Sequence, residues 1–238
     1  MKTVYYHPWQ PWLHAIGSTV TPDPLDNPLF MENIFIPPTT YLQYIKDQDM
    51  WEGWEHAECP ALAHFGNNTF VFYAQNDSDY SLNEHDDINI FMDEQRNGIF
   101  DRSIITRDSS NDQLILQLFP RYLLWTKHKE TWVEMMPVPN GPMAQLPAMF
   151  PLGKWSRSVH ATPMSKRDQR VTMKRGDAQF MIRFPDKGEK YQLKIKRPSE
   201  KEMVEQEQHH QLKMFVPGIS WSIMNKKEEK KCPFRKFW

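Results

Sequence analysis

Apolar and polar positions alternate most clearly in the second half of the chain. Phe180, Ile182 and Phe184 alternate with Met181 and Arg183, the period of two that buries one face of a strand. Val171-Thr172-Met173 comes before it and Tyr191-Gln192-Leu193-Lys194-Ile195 after it. Arg175-Gly176-Asp177 and Asp186-Lys187-Gly188 lie between as turns. Leu114, Leu116 and Leu118 alternate with Ile115 and Gln117 and predict a strand buried on at least one face. Tyr122 to Thr126 and Thr131 to Met136 flank His128-Lys129-Glu130 and predict a hairpin. Nearer the start, Thr69 to Ala74 and Ile88 to Met92 have the aromatic and β-branched content of strands.

Two helix starts stand out. Thr40-Tyr41-Leu42-Gln43 has the spacing of a capping box, and a short helix should run from it to Asp49. Ser199-Glu200-Lys201-Glu202 repeats that spacing with acids in the first turn, and its helix should reach Lys213. Met203, Val204 and Leu212 make only a thin apolar stripe, which places this late helix on the surface.

Proline decides much of the rest. Seven prolines fall in the first 38 residues among clusters of aromatics, predicting an arm that drapes over a core with its rings tucked in. Five more lie between Pro137 and Pro151 with Asn140-Gly141, which excludes a helix or a central strand there. No internal repeat or flexible linker divides the chain. The expected fold is mainly β: a single domain built as an antiparallel β-sandwich of jelly-roll type, with one late surface helix and long Pro-rich loops. Residues 1–38 form the arm, 39–198 the β core, and 199–238 the helix and a basic tail.

Composition supports that reading. Aromatics make up 13% of the 238 residues and 19 Pro outnumber 9 Gly, which suits aromatic strands joined by stiff loops. A mean hydropathy of −0.70 argues against membrane spans. Met1 to Pro8 lacks the apolar stretch of a signal peptide. Cys59 and Cys232, the only cysteines, make neither a disulfide framework nor a zinc site, and are expected reduced in a cytoplasmic protein.

Charge changes the picture. Residues 1–120 hold five Lys/Arg and eighteen Asp/Glu, a balance of −13. Residues 121–238 hold twenty-four and twelve, a balance of +12, which leaves the total of −1. Halves so different either attract each other within the fold or present opposite faces to partners.

The stretch from Leu114 to Pro185 carries a Leu- and aromatic-rich pair of strands ending Thr131-Trp132-Val133, then Pro137-Val138-Pro139-Asn140-Gly141-Pro142. A Leu152-Gly153-x-Trp155 element follows, and then a strand–turn–strand from Val171 to Pro185. These features resemble an uncharacterised family of bacterial and phage proteins, the domain-of-unknown-function family numbered 6065. That family usually has Gly-Glu-Pro in the last turn, where this chain has Gly176-Asp177-Ala178. The resemblance covers about a third of the chain, concerns packing and turns, and implies a phage origin. It assigns no catalytic residue.

Candidate chemistry is sparse. His85-Asp86-Asp87 and His160 supply the two imidazoles and one carboxylate of a non-haem Fe(II) site, with His85, Asp87 and His160 as ligands. Arg170, ten residues past His160, resembles the arginine that holds the 2-oxoglutarate carboxylate in the dependent oxygenases. The plain alternative is a solvated acidic turn and a loop histidine. His56-Ala57-Glu58 with His64 forms a second constellation, better read as a packing corner beside Trp51 and Trp54. There is no Gly-x-Ser-x-Gly elbow and no phosphate-cradling glycine loop.

Basic residues form two patches, Lys154 and Arg157 with Lys166 and Arg167, and Lys230 and Lys231 with Arg235 and Lys236. The sequence therefore favours a non-enzymatic interaction or structural protein without a cofactor, located in host cytoplasm or virion if phage-encoded. Its partner would be another protein or a copy of itself, with no membrane. An Fe(II)/2-oxoglutarate oxygenase is the alternative, and single-stranded nucleic-acid binding by the basic patches the second alternative.

Overall fold

The computed structural model describes residues 1–9, 35–48, 60–75, 77–82, 88–90, 106–108, 113–115, 121–141, 144–154, 157–159, 161–166, 169–186, 188–202 and 204. In chain order these contain β1 (Lys2–Trp9), β2 (Thr39–Thr40), α1 (Tyr41–Asp47), α2 (Pro60–Asn67), β3 (Thr69–Tyr73), β4 (Ser78–Leu82) and β5 (Ile88–Ile90). There follow β6 (Thr106–Asp108), β7 (Gln113–Ile115), β8 (Arg121–Thr126), β9 (Val133–Met136), β10 (Ala144–Gln145) and β11 (Ala148–Phe150). The last are β12 (Arg157–Val159), β13 (Pro163–Lys166), β14 (Val171–Met173), β15 (Ala178–Arg183) and β16 (Tyr191–Ile195). The protein is mainly β.

Two sheets enclose the main core. One has the order β12-β8-β1-β16 and the other β11-β9-β15-β3-β2. Val4, Tyr6, Tyr122 and Leu124 from the first meet Phe70, Phe72, Phe180 and Ile182 from the second in one buried cluster. Phe72 lies edge-on to Tyr122 with centroids 4.8 Å apart and stacks on Phe180 at 4.9 Å. Each such buried ring contributes roughly 1.5–3 kcal/mol by leaving water. Strand alternation explains the placement: β1 and β8 send every second residue inward, and Phe180, Ile182 and Phe184 do the same from β15, as their spacing predicts.

The opposite face of the second sheet is covered by helices. Val71, Ala178 and Met181 pack against Tyr41 and Ile45 of α1, with Leu62 and Phe65 of α2 alongside. Thr40 caps α1 as the sequence predicts, its hydroxyl accepting the Gln43 N–H at 3.2 Å. Gln43 turns its own side chain to Asp47 instead of back to the cap, so only half of the capping box is made. At the late helix both halves form: Ser199 Oγ accepts from Glu202 N, and Glu202 Oε2 accepts from Ser199 N at 2.7 Å.

Four expectations need correction. Tyr122 to Thr126 and Thr131 to Met136 do not pair as a hairpin; β8 pairs with β1 and β12, whereas β9 pairs with β15 and β11. The residues between them form an arch from one sheet to the other. Lys2–Trp9 does more than drape, since β1 lies between β8 and β16 inside a sheet. Its Pro8 is accommodated because the β16 ladder ends at Tyr6↔Ile195, so no β16 residue is opposite it. That ladder is parallel, an exception to the antiparallel scheme. Finally, α2 forms within the expected β core where the sequence predicted no element, with Pro60 at its start, where a fixed φ and a missing N–H cost nothing.

Both halves of the chain contribute to every sheet. A third sheet has the order β14-β4-β5 and a fourth β10-β13-β7-β6. β10 and β11, the strands in the proline-rich stretch, are both at sheet edges, consistent with its exclusion from a central position.

Candidate functional site

The described residues with the most distinctive surface chemistry gather where β8 crosses to β9. Thr126 opens the arch: its Oγ1 donates to Thr3 O at 2.9 Å and accepts the His128 N–H at 3.3 Å. A turn follows, with Thr131 N donating to His128 O at 3.1 Å. Thr131 is fully buried and anchors the end of the arch, so the preceding residues Lys127, His128, Lys129 and Glu130 are left exposed.

A second turn braces the first. Phe150 ends β11 opposite Val133, and Leu152 plugs into the core at 1% exposure. Lys154 N donates to Pro151 O at 3.1 Å, closing a turn around Gly153. Gly153 N donates to Thr131 O at 3.0 Å. A Cβ built on Gly153 would fall within 3.0 Å of the carbonyl oxygens of His128 and Lys129, so the two turns touch backbone to backbone. This contact sets the turn that carries exposed Lys154 against the turn that carries exposed Lys127, His128, Lys129 and Glu130, some twenty-five residues away in sequence.

Apolar surface adjoins these cations. Trp132, which follows the arch, is 39% exposed and Met149 61%. Trp132 and Glu134 share a strand face by alternation, and Met149 is directly opposite Glu134. Glu134 is held by Arg183 at 3.3 Å, and the Arg183 guanidinium lies 5.2 Å from the Phe65 ring centre. The helix layer packs over β3 and β15 and reaches Met136 at the end of β9, whereas Trp132 and Met149 stay exposed.

Other residues singled out from sequence are distributed as follows. His85, Asp87, His160, Arg167, Lys230, Lys231, Arg235 and Lys236 lie outside the described residues, as do His56 and Glu58. Arg157 starts β12 opposite Leu124, and Lys166 ends β13 in the fourth sheet, exposed. Arg170 makes a two-pronged pair with Asp79, Nε to Oδ1 at 2.7 Å and Nη2 to Oδ2 at 2.6 Å. Those hydrogen bonds hold the Asp79 carboxyl below its ordinary range. Among the described residues no three His, Cys, Asp or Glu side chains gather as a metal set, and no helix is long and apolar enough to cross a membrane.

A polar cluster also closes the edge of the first sheet. The Tyr191 hydroxyl donates to Asp186, and Lys2 Nζ lies 3.4 Å from Asp186 and 3.7 Å from Glu189. Burial, then Asp186, push the Tyr191 hydroxyl up. Burial works against the Lys2 cation, but Tyr191 and Asp186 outweigh it and raise its pKa. Both groups therefore keep their protons, and the cluster fastens β1 to β16 without supplying a nucleophile.

Lys154 was visible in the sequence as part of a basic patch. Its neighbours in space were not, because they depend on the Gly153 approach. Comparisons with protein-family models, curated proteins and solved structures give no match.

Proposed function

We propose that this is a non-enzymatic interaction protein that engages an acidic partner through the arch end. The observation that carries the reading is the backbone contact of two turns that present exposed Lys127, Lys129 and Lys154, with Glu130 the one acid among them, beside exposed Trp132 and Met149. Aromatic residues and Met are enriched where proteins meet partners, and a cationic rim steers an acidic one. A phage origin is part of this reading, on the resemblance of residues 114–185.

The test is retention on immobilised heparin, a generic polyanion. Lys127→Glu/Lys154→Glu should elute at clearly lower salt than the charge-matched control Lys194→Glu/Lys201→Glu, whose lysines are exposed elsewhere. Equal elution of the two variants would mean that only net charge matters and would sink the reading.

A further inference from the structure

We infer that the polyanion recognised at the arch end is a single strand of nucleic acid, a deepening that rests on the interaction reading above. Three features of the site match what such a ligand requires. A strand offers phosphates at regular spacing and bases with exposed faces. A binder needs cations to follow the phosphates and an accessible ring on which a base can stack.

Lys127 and Lys154 supply the cations, and their turns are held by the Gly153 contact and the Thr131 and Pro151 hydrogen bonds. Trp132 supplies the ring. It is 39% exposed although both its neighbours, Thr131 and Val133, are fully buried. A tryptophan held open between two buried residues is positioned by the backbone, so little ordering remains to be done when a base arrives. Met149 extends the apolar surface from the next strand. Base-edge readout needs donors and acceptors arranged for one base, and lysines with one ring do not provide that. The site therefore takes a strand without strong sequence preference.

An acidic peptide would use the lysines but has no flat face for Trp132. An anionic lipid surface would use both, but Trp132 and Met149 are bordered by the Glu134–Arg183 pair, which insertion into a bilayer would have to desolvate. The nucleic acid satisfies both kinds of group without burying that pair.

The experiment is fluorescence anisotropy with a labelled oligothymidylate of about 12 nucleotides, a length within the usual site sizes, over a range of salt. Wild type should bind, and affinity should fall as salt rises. Trp132→Ala should weaken binding by about tenfold or more, and Trp132→Phe should restore most of it. Lys127→Glu/Lys154→Glu should lower the slope of log affinity against log salt by about 1.4, from two lost phosphate contacts at about 0.7 each. Far-ultraviolet circular dichroism of each variant confirms that it is folded. The inference is overturned if the oligonucleotide does not bind at about 50 mM salt, or binds folded variants and wild type equally. It is also overturned if polyglutamate or vesicles of anionic lipid bind in a Trp132-dependent way and the oligonucleotide does not. In that last case the interaction reading survives; if heparin retention also fails to separate the lysine variants, both fall together.

Discussion

Replacing Gly153 with Ala tests the contact on which the arch end depends. The three atoms nearest the added Cβ are His128 O, Lys129 O and Lys129 C, all backbone and all inside 3.0 Å, whereas ordinary contact begins at 3.4 Å. Neither turn can yield easily. The Gly153 side is fixed by its N–H to Thr131 O and by buried Leu152, and the arch side by buried Thr131 and the Thr126 hydrogen bonds. Relief therefore requires both turns to separate, losing at least the Gly153–Thr131 hydrogen bond at about 1 kcal/mol. Overpacking adds about 1–3 kcal/mol on top, for a total of about 2–4 kcal/mol. Two controls isolate the cause. At Gly188 no atom lies within 4 Å of an added Cβ, but φ is +77°, so Ala there should cost about 1–2 kcal/mol from backbone conformation alone. At Gly66 the clash is with the Leu42 side chain, which can rotate away, so its cost should also be below that of Gly153→Ala. Urea unfolding of the three variants gives the order. If Gly153→Ala is within about 0.5 kcal/mol of wild type, the turns do not touch as described and the cluster around Lys154 loses its structural basis.

Two further outcomes follow from the core. Gln75 is buried, accepts the Ile36 N–H at 2.6 Å and donates to Ile36 O and the Tyr122 hydroxyl at 2.9 Å each; Gln75→Leu should therefore cost about 3 kcal/mol or more by leaving buried groups unpaired, and a loss below about 1 kcal/mol in urea unfolding would show that water replaces the side chain. Burial pushes the Tyr6 hydroxyl up to about 12 and raises Tyr122 as well, so both stay neutral in the fold while the unfolded chain ionises near pH 10. The stabilisation is complete below pH 10 and is lost as pH rises towards and through the folded value, at up to about 1.4 kcal/mol per pH unit for each ring. Tyr6→Phe should flatten that loss, and a wild-type stability unchanged from pH 10 to 12 would refute the burial argument.

The sequence read best where structure is local. The Ser199–Glu202 capping box, the Phe180/Ile182/Phe184 alternation and the strands at 69–73, 171–173 and 191–195 need only their own residues to be specified. So does the turn at Pro139-Asn140, where Asn140 adopts φ +58° and Gly141 N donates to Val138 O, a type II geometry that Pro and Asn both favour. The hairpin at 122–136 failed for the opposite reason. A two-residue period marks a strand but not its partner, and an arch between sheets has the same pattern as a hairpin within one. β1 is obscured by Pro8 and the prolines that follow it, although Val4 and Tyr6 already alternate with Thr3 and Tyr5. The arch end is half legible: Lys154 belongs to a basic patch in the sequence, but His128-Lys129-Glu130 has the pattern of a turn between paired strands and nothing there singles out Lys127.

The charge split takes on a different meaning once the pairing is known. Each of the four sheets contains strands from both halves of the chain, and neighbouring strands lie only about 5 Å apart. An acidic first half and a basic second half so interleaved do not form two opposed faces along the described sheets. Where a described acid of the first half meets a cation of the second, as Asp79 meets Arg170, their attraction acts within the fold. Even the reverse pair obeys the same logic, with Lys2 of the acidic half held by Asp186 and Glu189 of the basic half. Most of the acidic residues, fourteen of the eighteen, lie outside the described residues; Asp47, Asp77, Asp79 and Asp108 lie within them. Within the described fold, then, a docking surface of one sign has to be assembled locally, where loops from distant parts of the sequence are forced together. The Gly153 contact does this at the arch end, where three exposed lysines of the basic half outnumber the one exposed acid of the turn, Glu130, beside the exposed tryptophan.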